Sequence, residues 1–222
     1  MLSLIKKIQI IKKVKEKNLS YLNIKDLFNL YTQVHKTNKL DGIIIETGCA
    51  LGGSSIIIAK AKAKRKKLHI YDVFEMIPPP SDNDGKDVKN RYNIIKSGKS
   101  KGIGGNIYYG YKENLLSEVK KNFFECGIEI DENIKFIKGL YQETLNISEP
   151  VSFAHIDCDW YESVKLCLCR IMPNLINGGK VIVDDYNDWS GCKKAVDEYF
   201  LNIENKHNYK LTLKRKLLIE KA

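Results

Sequence analysis

Short apolar segments recur along the chain, and the stretches between them have the apolar spacing of helices. The segments cover residues 43–47, 68–72, 134–138, 151–157 and 180–184. This alternation is typical of a parallel α/β sheet. Two β-rich segments near the end of the chain, 209–213 and 217–220, predict an antiparallel hairpin at one edge. We therefore expect an α/β fold with a doubly wound, mostly parallel, seven-stranded sheet.

Residues 1–40 precede the first strand and carry apolar residues at helical spacing, as at Ile8 and Ile11. We expect two amphipathic helices here that cover the sheet. A chain of 222 residues with 43% hydrophobic content suits a single core. We therefore expect residues 41–222 to form one main domain. Residues 78–111 begin with three prolines and are rich in Gly, Lys, Asn and Tyr, a composition that opposes regular structure. We interpret this segment as a lid, since it follows the carboxyl end of the second strand.

The formal charge of +10 comes from lysines that are dispersed over several segments. No aromatic-interleaved basic module accompanies them, so we expect no nucleic-acid partner, while anionic small molecules stay compatible. The apolar runs are far shorter than the roughly 20 residues of a membrane-spanning helix, and the amino terminus lacks a signal-peptide pattern. These features predict a cytoplasmic protein without a membrane span. The six cysteines show neither zinc spacing nor a disulfide pattern and are expected to be reduced.

The first strand runs into a glycine-bearing turn and a helix start, with G-x-x-x-G-G at residues 48–53. Glycines let backbone approach a ligand closely, and the free N–H groups of a helix start favour a carboxylate or phosphate. The spacing differs from the dinucleotide fingerprint and from the phosphate-binding loop, which disfavours NAD and ATP. Glu46 suits a ligand with a positive amino group, and its alternative role is a helix cap or salt bridge. Asp72 closes the second strand, where an acid can accept hydrogen bonds from ribose hydroxyls.

Pairs of carboxylates follow two later strands, Asp157 with Asp159 and Asp184 with Asp185. Gathered at one edge of a sheet, they repel one another unless they are protonated or bridged by a cation. All-oxygen ligation suits magnesium, calcium or manganese. Helix N-caps would explain one aspartate at each strand end but not the second. We therefore predict a hard divalent metal, and we interpret His155, inside the strand, as a packed residue.

These residues resemble the macrocin O-methyltransferase group of class I methyltransferases, which includes mycinamicin and novobiocin sugar methyltransferases. The resemblance spans about residues 43–200. Its most specific parts are E-T-G-x-x-x-G-G-S at 46–54, D-x-F-E at 72–75, D-x-D-x-Y-x-S at 157–163, G-G-x-V-I-V-D-D-Y at 178–186 and C-x-x-A-V-D at 192–197. The sequence departs from the group after the third strand, where residues 139–144 replace a Gly-Trp-Phe type segment.

The resemblance implies a Rossmann-like fold that uses S-adenosylmethionine together with Mg²⁺ or another hard divalent cation. The residues that it implies for cofactor binding are Glu46, Thr47, Gly48, Gly52, Ser54, Asp72 and Gly139. It also implies that Asp157, Asp184 and Asp185 hold the metal. Asp159 is then the general base, with Asp157 as the alternative.

Together, the residues and the resemblance predict a metal-dependent O-methyltransferase that methylates a sugar hydroxyl of a surface-glycan or nucleotide-sugar precursor. Two alternatives stay open. One is a catechol-type O-methyltransferase, which also presents paired oxygens to a metal, and the other is a non-catalytic protein that binds an adenosine ligand. The partner is a small-molecule or sugar-nucleotide acceptor, and assembly as a homo-oligomer is compatible with the sequence.

Overall fold

A mostly parallel sheet of seven strands forms the centre of the protein. The computed structural model describes residues 2–222. The strands are β1 Ile43–Thr47, β2 Leu68–Asp72, β3 Ile134–Lys138, β4 Val151–Ile156, β5 Leu175–Val183, β6 Tyr209–Leu213 and β7 Leu217–Lys221. Their order is β3-β2-β1-β4-β5-β7-β6, and only the pairs that involve β7 are antiparallel. The predicted doubly wound sheet and its edge hairpin are confirmed.

Helices cover both faces of this sheet. They are α1 Leu2–Glu16, α2 Ile24–Lys36, α3 Gly53–Ala61, α4 Lys86–Lys96, α5 Leu115–Glu125, α6 Tyr141–Thr144, α7 Tyr161–Ile171 and α8 Ser190–Asn202. Successive side chains of a strand point to opposite faces. In β1, Ile44 packs with apolar residues of α1, α2, α3 and α5, whereas Ile43 and Ile45 pack with those of α7 and α8. Helices α1 and α2 lie within residues 1–40, but Ile8 of α1 is 52% exposed and does not pack against the sheet.

The strand order reverses between β1 and β4. From β1 the sheet continues through β2 and β3 on one side, and from β4 it continues through β5 on the other. In open α/β sheets such a reversal leaves a crevice at the carboxyl ends of the strands, where ligands bind. The glycine turn follows β1 and the two aspartate pairs follow β4 and β5, so the predicted site residues gather at this crevice.

Residues 78–111 contain more regular structure than their composition suggests. They include α4, in which Val88 and Ile95 are buried. These residues are seven positions apart and therefore lie on the same helix face. Their burial outweighs the weak local preference for a helix, so the expectation of irregular structure is wrong for α4. The flanking residues 78–85 and 97–111 hold turns, short 3-10 helices and one isolated bridge.

Three strands differ from their predicted bounds. β4 ends one residue before Asp157, β5 covers Leu175–Val183 rather than 180–184, and β7 extends one residue beyond 220. The pairing between β4 and β5 shifts register between Val151 and Phe153. A bulge of this kind admits extra residues into one strand, and no local sequence pattern encodes it.

Among the described residues, no helix is both long enough and apolar enough to cross a lipid bilayer. All six cysteines are free, and all but Cys169 are buried.

Candidate active site

A cavity of about 550 Å³ opens at the carboxyl edge of the sheet. Its walls come from the ends of β1, β2, β4 and β5, from residues 78–111, from the loop before α2 and from the β6–β7 turn. The predicted site residues that line it are Gly48, Ser54, Asp72, Asp157, Asp159, Asp184 and Asp185. The other predicted residues, Glu46, Thr47, Gly52 and Gly139, lie outside its wall. The structure thus brings the turn and all four strand-end aspartates around one space.

The turn after β1 begins at a position that only glycine can occupy. Gly48 has a φ of +85°, and a Cβ atom there would lie 1.8 Å from the carbonyl oxygen of Asp157. Its amide donates a hydrogen bond of 2.9 Å to the carbonyl of Tyr71. The backbones of β1, β2 and β4 therefore converge at Gly48, which leaves peptide groups rather than side chains at this part of the cavity.

Gly48→Ala is expected to lower the free energy of unfolding by on the order of 3 kcal/mol, because the added methyl group meets both a positive φ and a backbone contact. Gly127→Ala is the matched control, since Gly127 has a φ of +72° but no atom within 4 Å of its Cβ position. That variant should lose roughly 1 kcal/mol. Urea denaturation measures both values, and equal losses would contradict the packing described at Gly48.

Asp72, the last residue of β2, holds the glycine turn in place. Its Oδ2 accepts hydrogen bonds from the amides of Cys49 at 2.7 Å and Ala50 at 3.3 Å, and its Oδ1 accepts one from Phe74 at 2.7 Å. Burial raises the pKa of Asp72, and these amides oppose the rise because they stabilise the carboxylate. The result is a fixed carboxylate in the cavity wall, where it can accept hydrogen bonds from ligand hydroxyls.

Glu46 lies beneath the cavity rather than in its wall. Its side chain is fully buried, with Oε1 3.0 Å from Nδ1 of His155. The second carboxylate oxygen accepts a hydrogen bond from the hydroxyl of Ser55. These contacts correspond to the salt-bridge alternative for Glu46, and a direct role towards a cofactor stays a prediction.

His155 connects Glu46 to the aspartates. Burial alone would lower the pKa of His155, but the carboxylates of Asp184 and Glu46 outweigh burial and raise it to about 10. Its Nε2 lies 3.9 Å from Oδ1 of Asp184, which is too long for a hydrogen bond. His155 therefore has two acidic neighbours that favour its protonated form, and it is not only the packed residue that the sequence suggests.

Four aspartates form what we call the acid cluster, Asp157, Asp159, Asp184 and Asp185. Ligand atoms of His155, Asp157 and Asp184 lie within 4.8 Å of one another, as do those of Asp184, Asp185 and Asp188. Burial, with the nearby charge of Asp184, raises the pKa of Asp157 well above its usual range. Burial and the charges of Asp159 and Asp157 do the same for Asp185. The cluster can therefore be fully ionised only if a proton or a cation compensates its negative charge.

The donor atoms of the cluster fit a hard divalent cation. Oδ1 of Asp184 is buried and has no hydrogen-bond partner within residues 2–222, a costly state for a carboxylate oxygen unless a ligand contacts it. Its Oδ2 is already paired with Nζ of Lys216 at 2.7 Å. Carboxylate oxygens are the ligands that Mg²⁺ and Mn²⁺ prefer. The closely spaced ligand atoms place Asp184 with His155 and Asp157 in one group and with Asp185 and Asp188 in another, so Asp184 is the residue that both groups share.

Asp159 differs from its neighbours in having a fixed hydrogen-bond donor. It adopts a φ of +59°, which is uncommon for a residue other than glycine. Its Oδ1 accepts a hydrogen bond of 2.9 Å from Nε1 of Trp189. Burial raises the pKa of Asp159 to about 6 in spite of that bond, and the charge of Asp184 adds to the rise. A carboxylate with such a pKa at a cavity wall suits a general base.

Several cavity residues escape prediction from the sequence, among them Arg91, Trp189 and Lys216. Lys216 comes from the β6–β7 turn and lies 2.7 Å from carboxylate oxygens of Asp184 and Asp188. Arg91 comes from α4. Of these three, only Trp189 has a local signal, because it follows the second aspartate pair in the same loop. The other two reach the site through the tertiary fold.

Comparison with known proteins finds similarity across most of the chain. A family model described as Macrocin-O-methyltransferase (TylF) matches residues 22–210. Demethyldecarbamoylnovobiocin O-methyltransferase of Streptomyces niveus is 28% identical over 190 residues, which cover 80% of this chain and 66% of that protein. Mycinamicin III 3''-O-methyltransferase of Micromonospora griseorubida is 25% identical over 164 residues, which cover 71% and 60% respectively.

Among solved structures, that of the O-methyltransferase NovP superposes with a TM-score of 0.74 at 25% sequence identity. The alignment covers 91% of this chain and 81% of NovP. The chain spans slightly less than two thirds of the length of the curated relatives above.

Proposed function

The chain belongs to the macrocin O-methyltransferase family, as its motifs predict, and we propose that it transfers a methyl group from S-adenosylmethionine to a sugar hydroxyl. The observation that carries the proposal is the meeting of the glycine turn, Asp72 and the acid cluster around one cavity. The turn and Asp72 suit an adenosine-bearing cofactor. The acid cluster suits a hydroxylated acceptor beside a hard cation.

The cofactor is proposed to lie over the glycine turn. Backbone amides at the start of α3, near Ser54, suit its carboxylate, and Asp72 suits its ribose hydroxyls. Gly139 stabilises the position of Asp72, because its amide donates a hydrogen bond of 3.1 Å to the carbonyl of Asp72. We assign a similar supporting role to Glu46, Thr47 and Gly52, which lie outside the cavity wall.

Asp72→Ala is expected to weaken binding of S-adenosylmethionine by ~1–3 kcal/mol, because a buried ribose acceptor is lost. Asp131→Ala is the matched control. Asp131 also accepts a backbone hydrogen bond, from Asn133 at 2.9 Å, but lies outside the cavity. Isothermal titration calorimetry measures both affinities. Unchanged affinity in a folded Asp72→Ala protein would remove Asp72 from the cofactor site.

At the acceptor side, we propose that Asp157, Asp184 and Asp185 hold Mg²⁺ or another hard divalent cation. Such an ion, when bound, lowers the pKa of an acceptor hydroxyl and orients its oxygen. Asp159 takes the hydroxyl proton, since its carboxylate is fixed by Trp189 and its pKa of about 6 leaves it ionised at neutral pH. Asp157 is less suited to this role, because it lies among the closely spaced ligand atoms.

Arg91 favours a nucleotide-sugar acceptor over a neutral glycan. Its guanidinium donates a hydrogen bond of 2.9 Å to Oγ of Ser100 and lies 5.7 Å from the ring centroid of Tyr108. In the part of the chain that the structure describes, the arginine salt bridges involve Arg65 and Arg215 and not Arg91, although the charge of Arg91 lowers the pKa of Asp159. A half-buried guanidinium at a cavity wall without a salt bridge suits a phosphate.

Methyl-labelled S-adenosylmethionine, offered with nucleotide sugars, neutral glycosides and catechols, tests the proposed reaction. We expect the label in a methyl ether on the sugar of a nucleotide sugar. Label in catechols alone would replace this function by that of a catechol-type enzyme. Cofactor binding without any labelled product would instead favour a non-catalytic adenosine-binding protein.

A further inference from the structure

The two helices that follow the acid cluster have no side-chain caps of their own. α7 begins directly after Trp160 and α8 directly after Trp189, and neither residue makes a side-chain capping hydrogen bond. The first amides of a helix lack partners within the helix and need other acceptors. Both helices obtain these acceptors from residues 78–87, which we call the bridge segment.

Asp84 of the bridge segment caps α7. Its Oδ1 accepts a hydrogen bond of 2.9 Å from the amide of Tyr161, and its Oδ2 accepts one of 2.9 Å from the amide of Ser81. The side chain is only 4% exposed. A Cβ atom on Gly191, at the start of α8, would lie 1.9 Å from Oδ1 of Asp84. Asp84 is thus enclosed between the starts of both helices.

Asp87 caps α8 in the same manner. Its Oδ2 accepts a hydrogen bond of 2.9 Å from the amide of Ser190, and its Oδ1 accepts one of 2.5 Å from the hydroxyl of that residue. A side chain at Gly85 would force the hydroxyl of Ser190 to move, since a Cβ atom there would lie 2.3 Å from its Oγ. The bridge segment therefore packs closely against both helix starts.

Two indole rings extend this contact to the acid cluster. Nε1 of Trp160 donates a hydrogen bond of 3.0 Å to the carbonyl of Pro78, in the bridge segment. Trp160 packs edge to face against Trp189, with 5.7 Å between ring centroids, and Trp189 holds Asp159. The bridge segment is thus connected to the acid cluster both through the helix caps and through a pair of aromatic rings.

We propose that Asp84 and Asp87 are positioning residues for the acid cluster. By capping α7 and α8, they fix the two loops that carry the four aspartates. This inference rests on the proposed function, in which those aspartates act on the metal and the acceptor. It also gives residues 78–87 of the predicted lid a structural role beside the acid cluster.

Hydrogen–deuterium exchange of the full-length protein tests the capping directly. Asp84→Ala should speed amide exchange in residues 157–164, and Asp87→Ala in residues 184–193, each by about tenfold. Asp82→Ala is the matched control, because Asp82 is exposed and forms only a surface ion pair of 3.6 Å with Lys89. Exchange in these loops as slow as in Asp82→Ala would overturn the inference.

Calorimetric titration with Mn²⁺ separates positioning from simple helix stability. Asp87→Ala should weaken Mn²⁺ binding by about tenfold, whereas Asp87→Asn should stay within about twofold, because Asn keeps a capping oxygen. Faster exchange with unchanged Mn²⁺ affinity would mean that the caps stabilise the helices without positioning the aspartates, and would overturn the proposal. If the wild-type protein binds no Mn²⁺, the metal role in the proposed function fails, and the exchange experiment still decides whether the bridge segment fixes the loops.

Discussion

Asp184→Ala is expected to lower the rate of methyl transfer by about a thousandfold and to leave affinity for S-adenosylmethionine within about threefold of wild type. Oδ1 of Asp184 is the buried carboxylate oxygen without a hydrogen-bond partner in the described chain, so its loss removes the most available metal ligand. The proposed cofactor site uses β1 and β2, whereas Asp184 follows β5. Single-turnover transfer of labelled methyl measures the rate, and calorimetry measures cofactor affinity.

Asp197→Ala is the control for this variant. Asp197 lies on the exposed face of α8, where it pairs with Lys193 and lies outside the cavity. It should retain the wild-type rate. A near-wild-type rate in Asp184→Ala would remove Asp184 from the chemistry. Parallel loss of rate and cofactor affinity would indicate general disruption of the site instead.

Asp159→Asn is expected to lower the rate by roughly 10²–10⁴-fold, the usual contribution of a general base. Asn has nearly the same shape, and its side-chain oxygen can still accept the hydrogen bond from Nε1 of Trp189. It cannot take a proton from a hydroxyl. The change therefore removes the basic function while it preserves the local structure, and the pre-steady-state rate of methyl transfer is the appropriate measurement.

Two further measurements identify the source of that loss. Mn²⁺ affinity should stay within about threefold of wild type in Asp159→Asn, because the proposed metal ligands are other aspartates. Trp189→Phe removes the hydrogen bond but keeps the carboxylate, so its rate should lie between those of wild type and Asp159→Asn. A nearly normal rate in Asp159→Asn would move the role of base to Asp157.

Much of the fold can be predicted because several strands are short, mostly apolar runs with clear ends. β1 and β2 have the predicted bounds, and every residue in them is buried. The start of β5 at Leu175 cannot be predicted, since it depends on a register shift against β4. The helix α4 cannot be predicted either, because it depends on the burial of Val88 and Ile95 in the assembled domain.

The candidate site divides in a similar way. Strand-end residues such as Asp72 and Asp184 can be predicted, because parallel strands bring their carboxyl ends to one edge. The position of Glu46 beneath the cavity cannot be predicted. A strand that is buried on both faces has no alternation of apolar and polar residues, so its sequence does not show which side chains face the cavity. Lys216 and Asp84 reach the site from segments distant in sequence. Only the tertiary structure shows these contacts.

The requirement for a divalent cation tests the proposed mechanism most directly. The measurement is the rate of labelled methyl transfer to the preferred acceptor by enzyme stripped of metal and verified by elemental analysis. We expect the rate to fall by at least about a hundredfold and to return when Mg²⁺ or Mn²⁺ is added, with cofactor affinity unchanged. Full activity of the verified metal-free enzyme would contradict the mechanism and would leave Asp157 and Asp159 as a purely protein-based acid/base pair.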